Sequence, residues 1–352
     1  MSWVTPAPEK AEKPLYICVL GNTRISQIPG LSGAGKTAEL TVLTPTGDSE
    51  IMHTGNIISV PCLPMTPPLD TPTPAVITRT SLNLTKIPYA FVDAGLLQKP
   101  DACVPVCSTC AQCGEDFRTG IAVHDPEKIF EDAVRIGQEL APKTDQPVIG
   151  ESTPGGTTTA QGVLSLLGYD AKSSSSCDSN PMNLKEEVLK AAMEKSGLTF
   201  GCFRNDPFKA IQYLGDPMMP VVMGLVAGFK KYDPKMKIIL AGGTQMAAVF
   251  ACAKANGQNL ENVSLATTKY VKEDATANFT ELSGKIGFKA YIADPGFGRS
   301  SLPGIRRYDE GTIKEGAGAG GAMYLACQAG FTQDEFVAEV ENVCAILKAG
   351  KV

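Results

Sequence analysis

The sequence has no run of about 18 or more apolar residues, the length a membrane-spanning helix needs. Its longest apolar candidate, Met218 to Phe229, holds Pro220 and runs into Lys230-Lys231, so it reads as a core element. Concentrated positive charge is also lacking: 32 lysines and arginines against 37 aspartates and glutamates give a net charge of -5. A nucleic-acid surface needs a dense basic face, so no nucleic-acid partner is expected. Histidine is scarce, and neither His53 nor His124 stands in a metal-ligand spacing. Met1 to Lys13 is polar and proline-containing, with no apolar h-region. The expectation is therefore no signal peptide and a cytoplasmic location.

What remains is a 352-residue chain with 43% hydrophobic and 20% charged residues, long enough for one large or two unequal domains. Its eleven cysteines, in a chain of cytosolic character, point to free thiols or a metal site more than to disulfides.

The central stretch is Gly150-Glu151-Ser152-Thr153-Pro154-Gly155-Gly156-Thr157-Thr158-Thr159. Pro147-Val148-Ile149 before it reads as the end of a buried strand, and Ala160 to Leu167 after it as an apolar helix. Unpaired N–H groups at that helix start, with the positive end of its dipole, suit an anion such as a phosphate. Glu151 falls at the strand's carboxyl end, where open α/β sheets place their ligands. Lys237-Ile238-Ile239-Leu240, followed by Gly242, Gly243 and Thr244, repeats the strand–glycine–helix turn. Two such turns facing one crevice predict a doubly wound, mainly parallel Rossmann-like α/β sheet, with a smaller part formed from both chain ends.

Other segments are less direct. Gly30 to Thr37 matches the phosphate-loop pattern GxxxxGK[ST], including Lys36. Ile28-Pro29 precede it, however, and Leu40 to Leu43 reads as a strand stopping at Pro45, which leaves no room for the helix a triphosphatase requires. Pro61 to Pro74 reads as an extended linker feeding a strand, Ala75 to Ser81. Cys103, Cys107, Cys110 and Cys113 are spaced tightly enough for zinc or an iron–sulfur cluster, the alternative being a loop of reduced thiols. Asp125-Pro126-Glu127 and Thr332 with Glu335 mark helix starts, and Asn183 with Glu186 reads as a third. Lys185 then falls in a first turn, where an anion shared with the helix terminus would offset its charge. Gly316, Gly318 and Gly321 satisfy GxGxxG, but no strand precedes them, so close helix packing is the better reading.

Gly-Glu-(x)3-Gly-Gly-Thr-Thr at 150–158, Lys185, and Lys-Glu-Gly-Ala-Gly-Ala at 314–319 together resemble the nicotinate-nucleotide–dimethylbenzimidazole phosphoribosyltransferases, particularly their archaeal and cyanobacterial branch. The likeness runs from about Gly30 to Gln328. Bacterial members carry Gly-Glu-x-Gly-x-Gly-Asn-Thr-Thr at the first motif and a glycine-rich turn where this chain has Ser173 to Ser176. The resemblance implies transfer of 5-phosphoribosyl from nicotinate mononucleotide to a benzimidazole-type base, with no cofactor required. It implies Glu315 as general base, Gly155, Gly156, Thr157 and Thr158 on the phosphate with help from Lys185, Glu151 on the ribose, and Gly242, Gly243 and Gly316 along the substrate. A homodimer or other homo-oligomer is expected by the same analogy. Residues 1–74 are then assigned to the small part and the core's edge, 75–305 to the phosphoribosyl-binding core, and 306–352 to a helical segment with the glutamate motif. Two alternatives stay open: a non-catalytic nucleotide- or metal-binding relative, and an ATPase resting on Lys36 and Thr37.

Overall fold

Leu15, Ile17 and Val19 point to one side of a strand and Tyr16, Cys18 and Leu20 to the other, and all six are buried. A strand apolar on both faces belongs in the middle of a sheet covered on both sides by helices. The computed structural model, which describes residues 2–35, 37–177 and 179–349, has that architecture.

Along the chain, β1 (Val4–Thr5) and β2 (Pro14–Gly21) lead into α1 (Ala38–Thr41) and α2 (Thr44–Thr54). A small antiparallel pair, β3 (Met65–Thr66) with β4 (Thr71–Pro72), precedes α3 (Pro74–Thr85), β5 (Tyr89–Ala94), β6 (Val106–Ser108) and α4 (Pro126–Leu140). Then follow β7 (Gln146–Ser152), α5 (Gly156–Leu166), α6 (Met182–Lys195), α7 (Pro207–Leu214) and α8 (Met218–Tyr232). β8 (Ile238–Ala241), α9 (Thr244–Ala255), β9 (Val263–Thr268), α10 (Lys269–Lys272), α11 (Phe279–Ile286) and β10 (Ala290–Ala293) continue the alternation. The chain ends through α12 (Pro303–Arg306), α13 (Ala319–Gln328) and α14 (Gln333–Lys348). No helix among the described residues is long and apolar enough to cross a membrane.

The eight-stranded sheet has the order β1-β10-β9-β8-β7-β2-β5-β6, and every pairing except the antiparallel β1–β10 edge is parallel. From β2 the chain first winds outward through β5 to β6. It then returns to the other side of β2 and winds through β7, β8, β9 and β10. The direction changes between β2 and β7, which is where such sheets open a crevice at the strand carboxyl ends. The register there pairs Cys18 with Gly150, Val19 with Glu151 and Leu20 with Ser152.

Helices α4 to α9 and α11 cover one face. The other face is covered by α2, α3, α13 and α14 with Trp3 and Val4, so residues near both chain ends share one core. Within it Trp3 packs on Phe336 with ring centroids 5.2 Å apart, and its indole N–H donates to Phe331 O at 2.7 Å. The capping box at Thr332 and Glu335 is formed, and α14 buries Phe336, Val340, Val343 and Leu347 as its pattern requires.

Three local expectations are overturned. Ala75 to Ser81 is part of helix α3, not a strand, because Pro74 stands at the helix start, where a missing N–H costs nothing. Leu40 to Leu43 is not a strand either, and the expectation that no helix has room to start after the Gly30–Thr37 loop is overturned with it, since the short α1 begins at Ala38. The Thr37 side chain accepts from Leu40 N and caps α1, and Pro45 lies in the first turn of α2. Asn183 is inside α6, whose N-cap is Pro181. The Gly30–Thr37 loop does follow a 3-10 turn rather than a strand, while Lys36 lies outside the described residues.

Candidate active site at the strand ends

β7 ends in Glu151 and Ser152, and the chain turns through Thr153-Pro154-Gly155 into α5. Gly155 takes φ 82°, a left-handed conformation that glycine adopts without the steric cost of a side chain. A Cβ on Gly155 would also stand 3.2 Å from Ser26 N, so β7's turn packs directly on the turn after β2. The second glycine, Gly156, sits against the Gln245 side chain from the start of α9; a Cβ there would lie 2.1 Å from Gln245 Nε2. Both strand–glycine–helix turns thus meet, as the repeated pattern predicts.

A cavity of about 530 Å³ opens at this point. Glu151, Gly155, Gly156, Thr157, Glu315 and Gly316 all line it. Residues given no role from sequence share the wall: Asp48, Ser152, Thr153, Ser175, Ser176 and Gln245. Glu315 comes from the loop between α12 and α13, more than 150 residues away in sequence. One of its carboxylate oxygens accepts from Gly316 N (3.2 Å) and Gly320 N (3.0 Å), the other from Thr267 Oγ1 (3.1 Å) at the end of β9. Gly320 must be glycine here, since a Cβ would come within 2.7 Å of Glu315 Oε2 and 2.5 Å of Thr267 Cα.

Acids dominate the electrostatics. Glu151 is buried, its Oε2 has no hydrogen-bond partner, and loss of solvation followed by the nearby Asp216 charge pushes its carboxyl up to about 8. Burial lifts Asp216 and Asp48 to about 6 each, despite hydroxyl bonds from Thr159 and Ser152 respectively. Protein packed around the Glu315 carboxylate lifts it to about 7, although part of the side chain stays open to the cavity. At neutral pH such a group exchanges a proton readily in either direction.

Lys185 does not reach the cavity wall. It is buried, and its ammonium donates to Ser173 O (3.3 Å), Ser173 Oγ (3.0 Å) and Ser174 O (2.9 Å). Three donors are thereby used, and burial lowers its pKa to about 8. Its effect on the site is indirect: it fixes the serine run that presents Ser175 and Ser176 to the cavity. Lys314 ties the same run from the other side, donating to Ser175 O at 2.8 Å and pairing with Asp274 at 3.3 Å. Ser176 Oγ in turn donates to Glu315 O at 3.1 Å.

Thr158 is buried behind the turn with an unpartnered hydroxyl, and Gly242 and Gly243 shape the β8–α9 turn without lining the cavity. Gly242 has φ 157°. The four loop cysteines are not gathered: Cys103, Cys107 and Cys110 are exposed, and Cys113 donates to Gly114 O at 3.3 Å. Among the described residues no group of three or more His, Cys, Asp or Glu side chains is placed to hold a metal ion.

Fold and cavity define a doubly wound α/β protein with a carboxylate-lined site at its topological switch point. No family model matches the chain. A UPF0284 protein of Methanosarcina mazei is 57% identical over 352 residues, spanning 99% of this chain and all of the relative. A UPF0284 protein of Thermococcus onnurineus is 43% identical over 94% of this chain and 97% of its own length. The chain belongs to the UPF0284 family. Its fold is also that of the crystal structure of nicotinate-nucleotide–dimethylbenzimidazole phosphoribosyltransferase from Thermus thermophilus, with a TM-score of 0.59 at 13% identity, covering 94% of this chain and 84% of that one.

Proposed function

We propose that this protein transfers the 5-phosphoribosyl group of nicotinate mononucleotide to a benzimidazole-type base, releasing nicotinate and an α-riboside 5′-phosphate. The observation that carries the reading is the joint exposure of Glu315 and the Gly155–Thr157 turn to one cavity at the switch point. The likeness in fold to the Thermus phosphoribosyltransferase is in keeping with it.

In this reading an azole nitrogen attacks C1′ of the ribose from the face opposite nicotinate. The C1′–N bond to nicotinate breaks, and its electron pair neutralises the pyridinium nitrogen. Because the leaving group already carries positive charge, a strong electrophilic catalyst is not needed to expel it. The second azole nitrogen loses its proton to Glu315, whose carboxyl near 7 is matched to that task. Phosphate is held at the start of α5 by the main-chain N–H groups of Gly155 and Thr157, those of Gly156 and Thr158 being taken by Thr153 O and Gly155 O, with the helix dipole behind them. Glu151, on the cavity wall, takes a hydrogen bond with a ribose hydroxyl. Lys185 contributes by holding the serine run rather than by touching the phosphate.

Purified protein with nicotinate mononucleotide and a panel of benzimidazoles, resolved by chromatography, tests the reading. Nicotinate and an α-riboside phosphate should form in equal amounts, and Glu315→Gln should lose nearly all of it. Folded protein that yields no product with any base overturns the reading in favour of a binding-only relative.

A further inference from the structure

Asp48 is the carboxylate on the cavity wall to which the proposed transfer gives no task. It sits on α2, one turn before Ile51, which also lines the cavity. A Cβ on the adjacent Gly47 would be 3.5 Å from each of Cys62 Cβ, Ile57 Cδ1 and Val60 Cγ2. Helix α2 therefore lies in ordinary contact with the segment after it, and Ile57, Cys62 and Leu63 join Ile51 as apolar residues lining the same cavity as the acid. Asp48 itself is only 6% exposed.

We propose that Asp48 selects the acceptor, taking a hydrogen bond from a hydroxyl or amino substituent on the azole base, so that donor-bearing bases are favoured over dimethylbenzimidazole. The inference rests on the transfer reading above. Three features support it. Ser152 Oγ donates to one Asp48 oxygen at 2.7 Å, and Thr73 Oγ1 to the other at 3.3 Å. A carboxylate offers about four acceptor directions, so two protein donors leave capacity while fixing both oxygens in place. Secondly, a phosphate against Asp48 would set like charges together, so the anionic end of the nucleotide belongs at the α5 terminus and the uncharged base at Asp48. Thirdly, the surrounding wall is apolar and suits an aromatic ring, but a methyl group laid over a buried carboxylate would strip it of water without supplying a donor.

The test compares 5-hydroxybenzimidazole with 5,6-dimethylbenzimidazole, each with nicotinate mononucleotide, in wild-type protein, Asp48→Ala and Asp48→Asn. Wild type should favour the hydroxy base in kcat/KM by about tenfold or more, the value of one buried hydrogen bond to a charged acceptor. In Asp48→Ala the preference should fall to within about twofold or invert. An unchanged ratio in the variant, or a wild-type preference for the dimethyl base, overturns the proposal. If the alanine variant does not fold, Asp48→Asn, which keeps only a neutral acceptor, should lower the preference to about a few-fold, and an unchanged ratio there overturns the proposal. Calorimetric binding of the two bases separates this inference from the transfer itself. A binding preference that depends on Asp48, in protein without turnover, supports the selector and counts against the reaction; equal binding of both bases by wild type counts against the selector.

Discussion

Gly150 and Gly318 stand back to back, so close that a Cβ built on Gly150 lies 2.7 Å from Gly318 Cα, and one built on Gly318 lies 2.8 Å from Gly150 Cα. Gly150 is in the middle of β7; Gly318 is the left-handed N-cap of α13, with φ 64°. Tyr16 closes the contact, donating its hydroxyl to Ala317 O at 2.5 Å, where Thr78 Oγ1 also donates at 2.8 Å. The loop that carries Glu315 is thus seated on the strand that carries Glu151.

Gly150→Ala should unseat that loop. The new methyl meets backbone on one side and the Tyr16 hydroxyl, also at 2.7 Å, on the other, so no side-chain swing relieves it. The expected cost is about 1–3 kcal/mol, the usual range for overpacking a tight core. Urea unfolding should show a lowered midpoint, and turnover should fall by more than the stability loss explains, because Glu315 moves. Tyr16→Phe removes only one of two bonds to Ala317 O and should cost less, about 1 kcal/mol.

The rate of the proposed transfer should rise with pH through about 7 and then level off, since Glu315 must be ionised to take a proton and burial holds its carboxyl near that value. Glu315→Gln should lower kcat by roughly 10²–10⁴-fold, the range for removing a positioned base, and abolish the acid limb of whatever activity remains. An acid limb that persists in the variant would assign the titration to another group.

Much of this arrangement is legible in the sequence where local chemistry and tertiary packing agree. Asp125-Pro126 starts α4, Thr332 and Glu335 cap α14, and the glycine turns after β7 and β8 fall where strand–turn–helix patterns put them. The pattern failed where packing overrode propensity. Val76, Ile77, Thr78 and Thr80 are β-branched and read as a strand, yet α3 buries them against α13 and α14; Pro74 was the available signal for a helix start. Helix α2 was missed because it buries Thr46, Asp48, Ser49 and Glu50, giving no apolar period to read. Glu50 explains one of these: its carboxylate accepts from Ile58 N (2.6 Å), Ser59 N (3.0 Å) and Asp101 N (2.9 Å), a long-range role no local spacing announces. The place of Lys185 was legible only in part, since its carbonyl partners come from a loop ten or so residues earlier.

Lys185→Met should destabilise the protein even with no phosphate or nucleotide present, because Ser173 O and Ser174 O would lose a buried donor at about 1–3 kcal/mol for the pair. Thermal unfolding in phosphate-free buffer measures this directly. A lysine acting only as a phosphate ligand predicts the reverse: little change without the anion, and a loss of the stabilisation that added nicotinate mononucleotide provides.

Glu151 makes the protein's stability depend on pH with a definite sign. Its carboxyl is near 8 when folded, against an ordinary value of 4.5, so between those limits the folded chain holds a proton that the unfolded chain releases. Stability then falls as pH rises through that window, by at most about 1.4 kcal/mol per pH unit. Asp48 and Asp216 act in the same direction but only up to about 6, and Glu315 up to about 7. Between pH 7 and 8 Glu151 is therefore the main remaining contributor among the four acids, opposed in part by Lys185, whose pKa near 8 makes the folded chain release a proton that the unfolded chain keeps. Melting temperatures of substrate-free wild type should drop by about one degree over that interval, the large unfolding entropy of a 352-residue chain keeping the shift small. Glu151→Gln, which is neutral throughout, should flatten the drop and be the more stable protein at pH 8. Equal slopes in the two proteins would mean that Glu151 is already ionised at pH 7, and with it the view of this cavity as a site that keeps one acid protonated until a substrate arrives would fall.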